Sequence, residues 1–171
     1  MTAIDPNTVQ PVLVRSSDAE VLGTASTTMQ LLADGSDTNH VISAIRTRMG
    51  KGTAGPTPHL HRHAPEIFFV IEGGLDVLIG DQIVTAHDGD FLLVPPHTVH
   101  AFRTPPDTGV DMLFLMPGAD RFEYFRLLDR IQHGQASPQE ILQTQDRFDN
   151  HFRHSPLWPS PIAQQPARTA N

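Results

Sequence analysis

Histidine is concentrated in one part of this chain. The sequence has ten histidines, and six of them fall between His59 and His100. His59, His61 and His63 alternate with other residues, and Glu66 follows closely. Because imidazole and carboxylate groups together bind divalent transition metals, this segment predicts a metal site.

The spacing of these residues fits ligands that are carried on β-strands. Residues two apart share a face of a strand, so His59 and His61 can point the same way. Glu66 opens the next predicted strand, and His100 opens a later one. Three imidazoles and one carboxylate can therefore converge in one cavity. On an octahedral ion they would leave positions open, as a reactive metal site requires.

The other histidines are interpreted differently. His63 could compete with His59 as a ligand, but we favour a position at the rim of the site, because His61 and His63 together leave only two residues before Glu66. His97 lies in a predicted turn and either lines the cavity mouth or faces solvent. The remaining histidines are expected at the surface: His40, His87, His133, His151 and His154.

Short strands are the elements that must position these residues. From residue 23 to 114, β-branched and aromatic runs alternate with Gly, Asp, Asn and Pro, which are turn signals. Residues 72–74 are predicted as a hairpin turn. Strands of this length and spacing favour an all-β sandwich or barrel. The predicted strands are 24–32, 40–48, 66–71, 75–79, 82–86, 91–94, 100–104 and 110–116.

The pattern becomes helical after the predicted barrel. Phe122, Phe125 and Leu128 recur three residues apart, which predicts a helix over 120–131. A capping box from Ser137 to Glu140, with a proline at the first helical position, predicts a second helix to about residue 148. We expect one domain over 1–171: a barrel over about 20–117, a helical extension over about 118–150, and a Pro-rich tail over 151–171.

Composition narrows the classes of function. The chain has 171 residues and no cysteine, which excludes disulfides, thiolate metal sites and cysteine nucleophiles. The net charge of −7 without a dense Lys/Arg cluster argues against nucleic acid as a partner. No apolar stretch reaches the roughly 18 residues that span a bilayer, and no secretory signal is recognisable. We expect a cytoplasmic protein that does not bind a membrane.

The spacing of these residues resembles the two sequence motifs of the cupin family. In the first motif, His59, His61, Glu66 and Gly73 stand at the family's positions, while Thr53 occupies the place of the leading glycine. In the second motif, Gly89, Pro95 and His100 are in register. There, His97 replaces a glycine and Thr104 replaces an asparagine.

The cupin resemblance covers roughly residues 20–117 and has structural and chemical implications. It implies a double-stranded β-helix, which is a jelly-roll barrel. It also implies that His59, His61, Glu66 and His100 hold one divalent transition metal, which could be Fe, Mn, Ni, Cu or Zn. Small cupins commonly form dimers, so we expect a homodimer.

Within the cupins, the chain is most similar to quercetin 2,3-dioxygenase-like proteins with one cupin domain. The features are the four-residue gap before Glu66, the residues 66–73 and 99–103, and an aromatic helix after the barrel. This similarity implies dioxygen and a small aromatic enol such as a flavonol as substrates, with Glu66 as the catalytic base.

Two other functions fit the same residues. One is a zinc-type cyclase or isomerase that acts on polyketide-like substrates, and the other is a non-catalytic cupin that binds a small ligand. In all three cases, four apolar residues are expected to fill the barrel and to bound a substrate pocket: Phe68, Phe102, Met112 and Phe114. The aromatic helix after the barrel could cover the barrel mouth and contribute a lid residue.

Overall fold

A computed structural model describes residues 11–158 and consists mainly of antiparallel β-strands. This architecture confirms the predicted all-β class.

No helix in these residues is long and apolar enough to cross a membrane. The strands are β1 (Val21–Gly23), β2 (Thr27–Ala33), β3 (Ser43–Met49), β4 (His59–Leu60), β5 (Glu66–Ile79), β6 (Gln82–His87), β7 (Phe91–Val94), β8 (His100–Arg103), β9 (Val110–Met116) and β10 (His151–Phe152). The helices are a short 3-10 turn (Gly35–Asp37), α1 (Phe122–Gln132) and α2 (Pro138–Gln143).

One long strand joins the two halves of the sheet structure. The strand order is β1-β2-β3-β9-β5-β8-β4-β10, and β6 and β7 also pair with β5. The first half of β5 pairs with β7 and β9, and its second half pairs with β6 and β8. The change of partners occurs near Gly73 and Gly74, while Glu66, the first residue of β5, pairs with Val94 in β7.

The predicted hairpin at residues 72–74 is wrong, because β5 continues through it. The register against β9 shifts between Val70 and Glu72, and Gly73 has a φ of 95°. Such a bulge changes which residues face the core, from even-numbered ones before it to odd-numbered ones after it. Phe68 and Val70 are buried before the shift, and Leu75 and Val77 are buried after it. In the sequence, this interruption of the apolar alternation looks like a turn between two strands.

The core lies between the two sheet faces. Strands β3 and β9 alternate buried and less buried residues, as strands with one buried face do. Phe68 packs edge-to-face against Phe102 and Phe114, with ring centroids 5.3 Å and 6.0 Å apart. Helix α1 adds Tyr124 and Phe125 to this core.

Several predicted boundaries need correction. Residues 40–42 are not part of β3, and His40 itself has a positive φ of 58°. Helix α2 ends at Gln143 and not near residue 148, although its predicted capping box at Ser137 is present. The fold also contains the short strands β1 and β10, which the sequence patterns do not indicate.

The expected irregular tail does not begin at residue 151. His151 and Phe152 form β10, which pairs with β4, and His151 is buried where a surface position is predicted. Trp158 is also buried and packs with Leu78 and Ala101. β4 pairs with β8 on one side only, so its other edge is available, and residues 151–152 pair with that edge as β10. The rest of the predicted tail, 159–171, lies outside the described residues.

Candidate metal centre

The four predicted metal ligands come together in the folded chain. His59 in β4 is the direct cross-strand partner of His100 in β8, while His61 follows β4 and Glu66 opens β5. All four residues are buried, with at most 3% of their surface exposed. One ligand atom from each residue lies within 4.8 Å of the others. These residues could therefore hold one metal ion.

The carboxylate of Glu66 lies at the centre of this cluster. Its Oε2 is 2.6 Å from Nε2 of His61, 3.1 Å from Nε2 of His100 and 3.9 Å from Nε2 of His59. All three imidazoles thus present the same nitrogen to the same point. A convergence of nitrogen and oxygen ligand atoms of this kind suits a divalent transition metal.

The opposite nitrogen of each imidazole is held by a main-chain carbonyl. Nδ1 of His59 lies 2.8 Å from the oxygen of Thr57, and Nδ1 of His100 lies 2.9 Å from that of Thr98. Nδ1 of His61 is paired with the carbonyl oxygen of Asp149. A carbonyl only accepts, so each Nδ1 donates, and Nε2 is the nitrogen of each ring that is left to bind a metal ion in place of a proton.

Burial and mutual charge set the ionisation of the cluster. Burial lowers the pKa of His59 well below its ordinary value, and the neighbouring His100 lowers it further, so His59 is neutral. Burial alone would raise the pKa of Glu66, but the charge and hydrogen bonds of His100 and His61 outweigh burial and hold it well below the ordinary value. An ionised, buried carboxylate among three imidazoles is stabilised by a cation, and a metal ion would be such a cation.

The pKa of His100 also shows that the cluster favours a positive charge. Burial would lower its pKa, but the charge and hydrogen bond of Glu66 raise it. The cluster thus attracts positive charge at Nε2 of His100, where a metal ion would take the place of a proton. The donor set therefore fits the metal that the cupin resemblance implies.

Two further histidines lie outside this cluster. The side chain of His63 is exposed, as the predicted rim position requires, and its main-chain N–H donates to Asp149 at 2.9 Å. His97 is exposed and has a φ of 66°, in the left-handed region that favours glycine. The motif's glycine is therefore replaced by a histidine that keeps a glycine-like backbone.

Thr104, which replaces the motif's asparagine, has a structural role. It is buried, and its hydroxyl donates to the carbonyl oxygen of Gly50 at 2.6 Å. The same hydroxyl accepts the main-chain N–H of Thr53 at 2.7 Å. These bonds tie the end of β8 to the loop that precedes β4, and β4 carries His59.

A cavity of about 210 Å³ opens beside the cluster. His59 and Glu66 lie on its wall, and α1 contributes Tyr124, Phe125 and Leu128. Of the four residues predicted for a substrate pocket, Phe102 and Phe114 line this cavity. The other two, Phe68 and Met112, are fully buried in the core and do not line it. Phe68 packs against the rings of Phe102 and Phe114, which line the cavity.

Three residues near the centre have no signal in the sequence. Arg121 and Asn150 line the cavity and are each 2% exposed. Asp149 supplies the carbonyl that holds His61. All three belong to the segment after the barrel, where neither periodicity nor a motif marks them. Only the packing of that segment over the barrel reveals their position.

A protein family and a curated protein match this chain. The family model described as "Cupin domain" matches residues 45–116. Quercetin 2,3-dioxygenase of Bacillus subtilis is 27% identical over 136 residues, which are 79% of this chain and 40% of that protein. The chain thus spans about two fifths of the length of this curated relative.

Solved structures with similar folds include a cupin and a polyketide cyclase. An RmlC-like cupin from Shewanella frigidimarina has a TM-score of 0.56 and 25% identity, covering 68% of this chain and 97% of its own. A polyketide cyclase from Streptomyces resistomycificus has a TM-score of 0.54 and 19% identity, covering 65% and 82%. At this identity the cyclase supports a common fold only.

Proposed function

We propose that the chain is a metal-dependent dioxygenase, because residues 45–116 match the cupin domain, the fold is similar to that of a solved cupin, and the sequence resembles a quercetin 2,3-dioxygenase. Its substrate is a flavonol or a similar aromatic enol, which it cleaves with dioxygen. The observation that carries this proposal is the buried cluster of His59, His61, Glu66 and His100, which opens onto a cavity with aromatic walls.

The cluster residues have distinct parts in this proposal. When bound, a divalent transition metal supplies open coordination positions and Lewis acidity for a chelating enol and dioxygen. His59, His61 and His100 hold it through Nε2. Glu66 also holds it and acts as the base, because a carboxylate is ionised at neutral pH and can accept the enol proton. Oε2 of Glu66 faces His61 and His100, so Oε1 is the oxygen that can accept the enol proton.

The cavity walls orient the ring system of the substrate. Phe114 lies edge-to-face with Phe125 of α1, with ring centroids 5.5 Å apart. Phe102 lines another part of the same cavity. These rings exclude water and favour a planar aromatic molecule whose hydroxyl group points toward Glu66.

Dioxygen uptake tests the proposal directly. The protein is loaded in turn with iron, manganese, nickel and copper, and oxygen consumption is recorded with a flavonol present. We expect uptake with at least one metal, and no uptake after Glu66→Gln. His63→Ala serves as the matched control, because His63 is exposed and lies outside the cluster. The absence of uptake with every metal would exclude the dioxygenase.

The donor set also supports a second candidate, a cyclase or isomerase that acts on an enolisable substrate. Three imidazoles and a carboxylate accept zinc as readily as a redox-active metal. A zinc-loaded protein of this kind would turn over its substrate without dioxygen, so anaerobic turnover of a polyketide-like substrate distinguishes it from the dioxygenase.

A further inference from the structure

Asn150 is a buried amide without a partner. Its side chain is 2% exposed, and neither Nδ2 nor Oδ1 has a hydrogen-bond partner within residues 11–158. Buried amides are nearly always hydrogen-bonded, since an unpaired one destabilises the fold. Asn150 lines the cavity beside His59 and Glu66. The amide nitrogen and oxygen themselves have almost no accessible surface, so a molecule in the cavity supplies the missing partners when the side chain turns toward it.

The main chain around Asn150 is fixed to the metal centre. The N–H of Asn150 donates to the carbonyl oxygen of Gln145 at 3.0 Å. The preceding residue, Asp149, holds His61 through its carbonyl, and the following residue, His151, pairs with Leu60 in β4. The main chain that carries this side chain is thus held in place before any ligand arrives.

Arg121 is a second buried polar group on the same cavity wall. Nη1 donates to the carbonyl oxygen of Phe148 at 2.7 Å, while Nε has no partner in the described part of the chain. The guanidinium lies over the ring of Tyr124, 4.3 Å from its centroid. Burial lowers the pKa of Arg121, but a guanidinium stays protonated at neutral pH. The cavity wall therefore presents a buried positive charge with a free donor.

We infer that Arg121 and Asn150 form a second recognition site in the cavity, for an ionised phenol or enol oxygen with a neighbouring hydroxyl. Nε of Arg121 donates to the anionic oxygen. Oδ1 of Asn150 accepts the proton of the hydroxyl, and Nδ2 donates to an oxygen of the same ligand. The substrate class is then a polyhydroxylated aromatic compound. This inference rests on the proposed function for the part of the ligand that lies at the metal.

The combination of the two residues excludes simpler ligands. An aromatic carboxylate would satisfy Arg121, but without a hydroxyl it would leave Oδ1 of Asn150 unpaired. A purely apolar ring would leave both residues unpaired. A site built to bind a hydroxyl strongly rejects the analogue that lacks it, because its own buried groups then stay unsatisfied.

Binding of paired ligands to the metal-loaded protein tests this site. Dissociation constants are measured without dioxygen for quercetin against 3-hydroxyflavone, and for 1,8-dihydroxynaphthalene against 1-naphthol. We expect the wild-type protein to prefer the more hydroxylated member by about tenfold or more. Asn150→Leu should abolish most of this preference. Gln132→Leu is the matched control, because Gln132 is an exposed amide on the same cavity and should leave the preference unchanged.

Asn150→Asp provides a second variant of nearly the same shape, in case Asn150→Leu does not fold. Its carboxylate would repel the anionic oxygen of the ligand, so the more hydroxylated ligand should bind about tenfold more weakly or worse. Metal content and thermal unfolding of each variant are measured beside the binding. Wild-type binding in Asn150→Asp would overturn the inference.

The possible outcomes separate this inference from the proposed function. If flavonols bind and the Asn150 variants keep the full preference, the recognition site is wrong while the flavonol proposal stands. If only the naphthols bind, with a preference that requires Asn150, the recognition site stands and the flavonol proposal is wrong. If neither pair binds the wild-type protein, both are wrong.

Discussion

The three histidines of the cluster share one arrangement, in which Nδ1 is held by a carbonyl and Nε2 faces Glu66. The sequence predicts the four residues because their alternation and spacing suit neighbouring strands. It does not predict how the rings are fixed. The carbonyl that holds His61 belongs to Asp149, which is 88 residues further along the chain. A contact of that range leaves no local pattern.

Asp149 offers a test of this fixation. Its carboxylate accepts the main-chain N–H groups of Arg62 and His63 at 2.8 Å and 2.9 Å, so it ties the segment after β4 to the carbonyl that holds His61. We expect Asp149→Ala to weaken metal binding by about tenfold or more, since groups that orient ligands have effects of this size. The dissociation constant is measured by competition with a chromophoric chelator.

Asp146→Ala is the matched control for Asp149→Ala. Asp146 also pairs with Arg62, but its side chain is 89% exposed and it provides no carbonyl to the cluster. Metal binding should stay at the wild-type value in this variant. Equal metal affinities in the two variants would show that Asp149 does not position His61.

At the scale of elements, the sequence predicts most of the strands and both helices but misreads β5. Phe91–Val94 and Val110–Met116 match their predicted bounds. For β5, Glu72, Gly73 and Gly74 resemble a hairpin turn, and the alternation breaks there. The actual cause is a bulge beside Gly109 of the neighbouring chain segment. A local pattern cannot distinguish a turn from a bulge, because the difference depends on that distant partner.

Gly73→Ala tests the bulge. A Cβ at Gly73 would lie against the carbonyl oxygen of Gly109, well inside van der Waals contact, and the φ of 95° disfavours any side chain. We expect a loss of unfolding free energy of about 2–3 kcal/mol, measured by urea denaturation. Gly80→Ala is the control, because Gly80 has a φ of 62° and nothing lies within 4 Å of its Cβ position. It should lose only about 1–2 kcal/mol. Equal losses would contradict the role of the Gly109 contact.

Strands β3 and β9 are joined on their outer face by a charged cluster. Asp111 accepts from Arg46 at 2.7 Å and 2.8 Å and from Arg48 at 2.9 Å. The hydrogen bond from Arg46, followed by that from Arg48, outweighs partial burial and lowers the pKa of Asp111 below its ordinary 3.8. A carboxyl whose pKa is lower in the folded state stabilises the fold above its unfolded pKa. This contribution disappears as the pH falls through the folded pKa.

Asp111→Asn should therefore destabilise the protein in a pH-dependent way. At pH 7 we expect a loss of about 1–2 kcal/mol, because a two-pronged arginine pair is lost. The difference between variant and wild type should shrink once the pH falls below about 4. Urea denaturation across this pH range measures it. Asp81→Asn, at an exposed turn, is the control and should show no such trend. A difference that persists at low pH would contradict the pairing.

At the scale of the whole molecule, the sequence predicts the barrel. It does not predict how the segment after the barrel packs over the cavity. The periodicity of α1 shows that one face is buried, but it does not show which surface that face covers. In the structure it covers the cavity, where Arg121 lies over Tyr124. The return of the chain to β4 as β10 brings Asn150 to the same place. A homodimer and a cytoplasmic location remain predictions.

The metal centre should also stabilise the whole fold. Its ligands come from β4, β5, β8 and the segment after β4, so a bound ion links elements that are distant in sequence. Four polar groups are buried there around one carboxylate, an arrangement that a cation favours. An ion that binds only the folded state adds about 2.7 kcal/mol when its concentration is a hundred times Kd. For a chain of this size, that raises Tm by roughly 5–10 °C.

Thermal unfolding of the chelator-treated protein, with and without each divalent metal, measures this stabilisation. His59→Ala should lose most of the rise in Tm, because it removes a buried ligand from β4. His63→Ala should keep it, because His63 is exposed and its side chain is not part of the cluster. If both variants kept the rise, the ion would bind elsewhere. If His63→Ala lost it while His59→Ala kept it, the two histidines that bind the ion together with Glu66 and His100 would be His61 and His63, and the assignment of His59 as a ligand would be wrong.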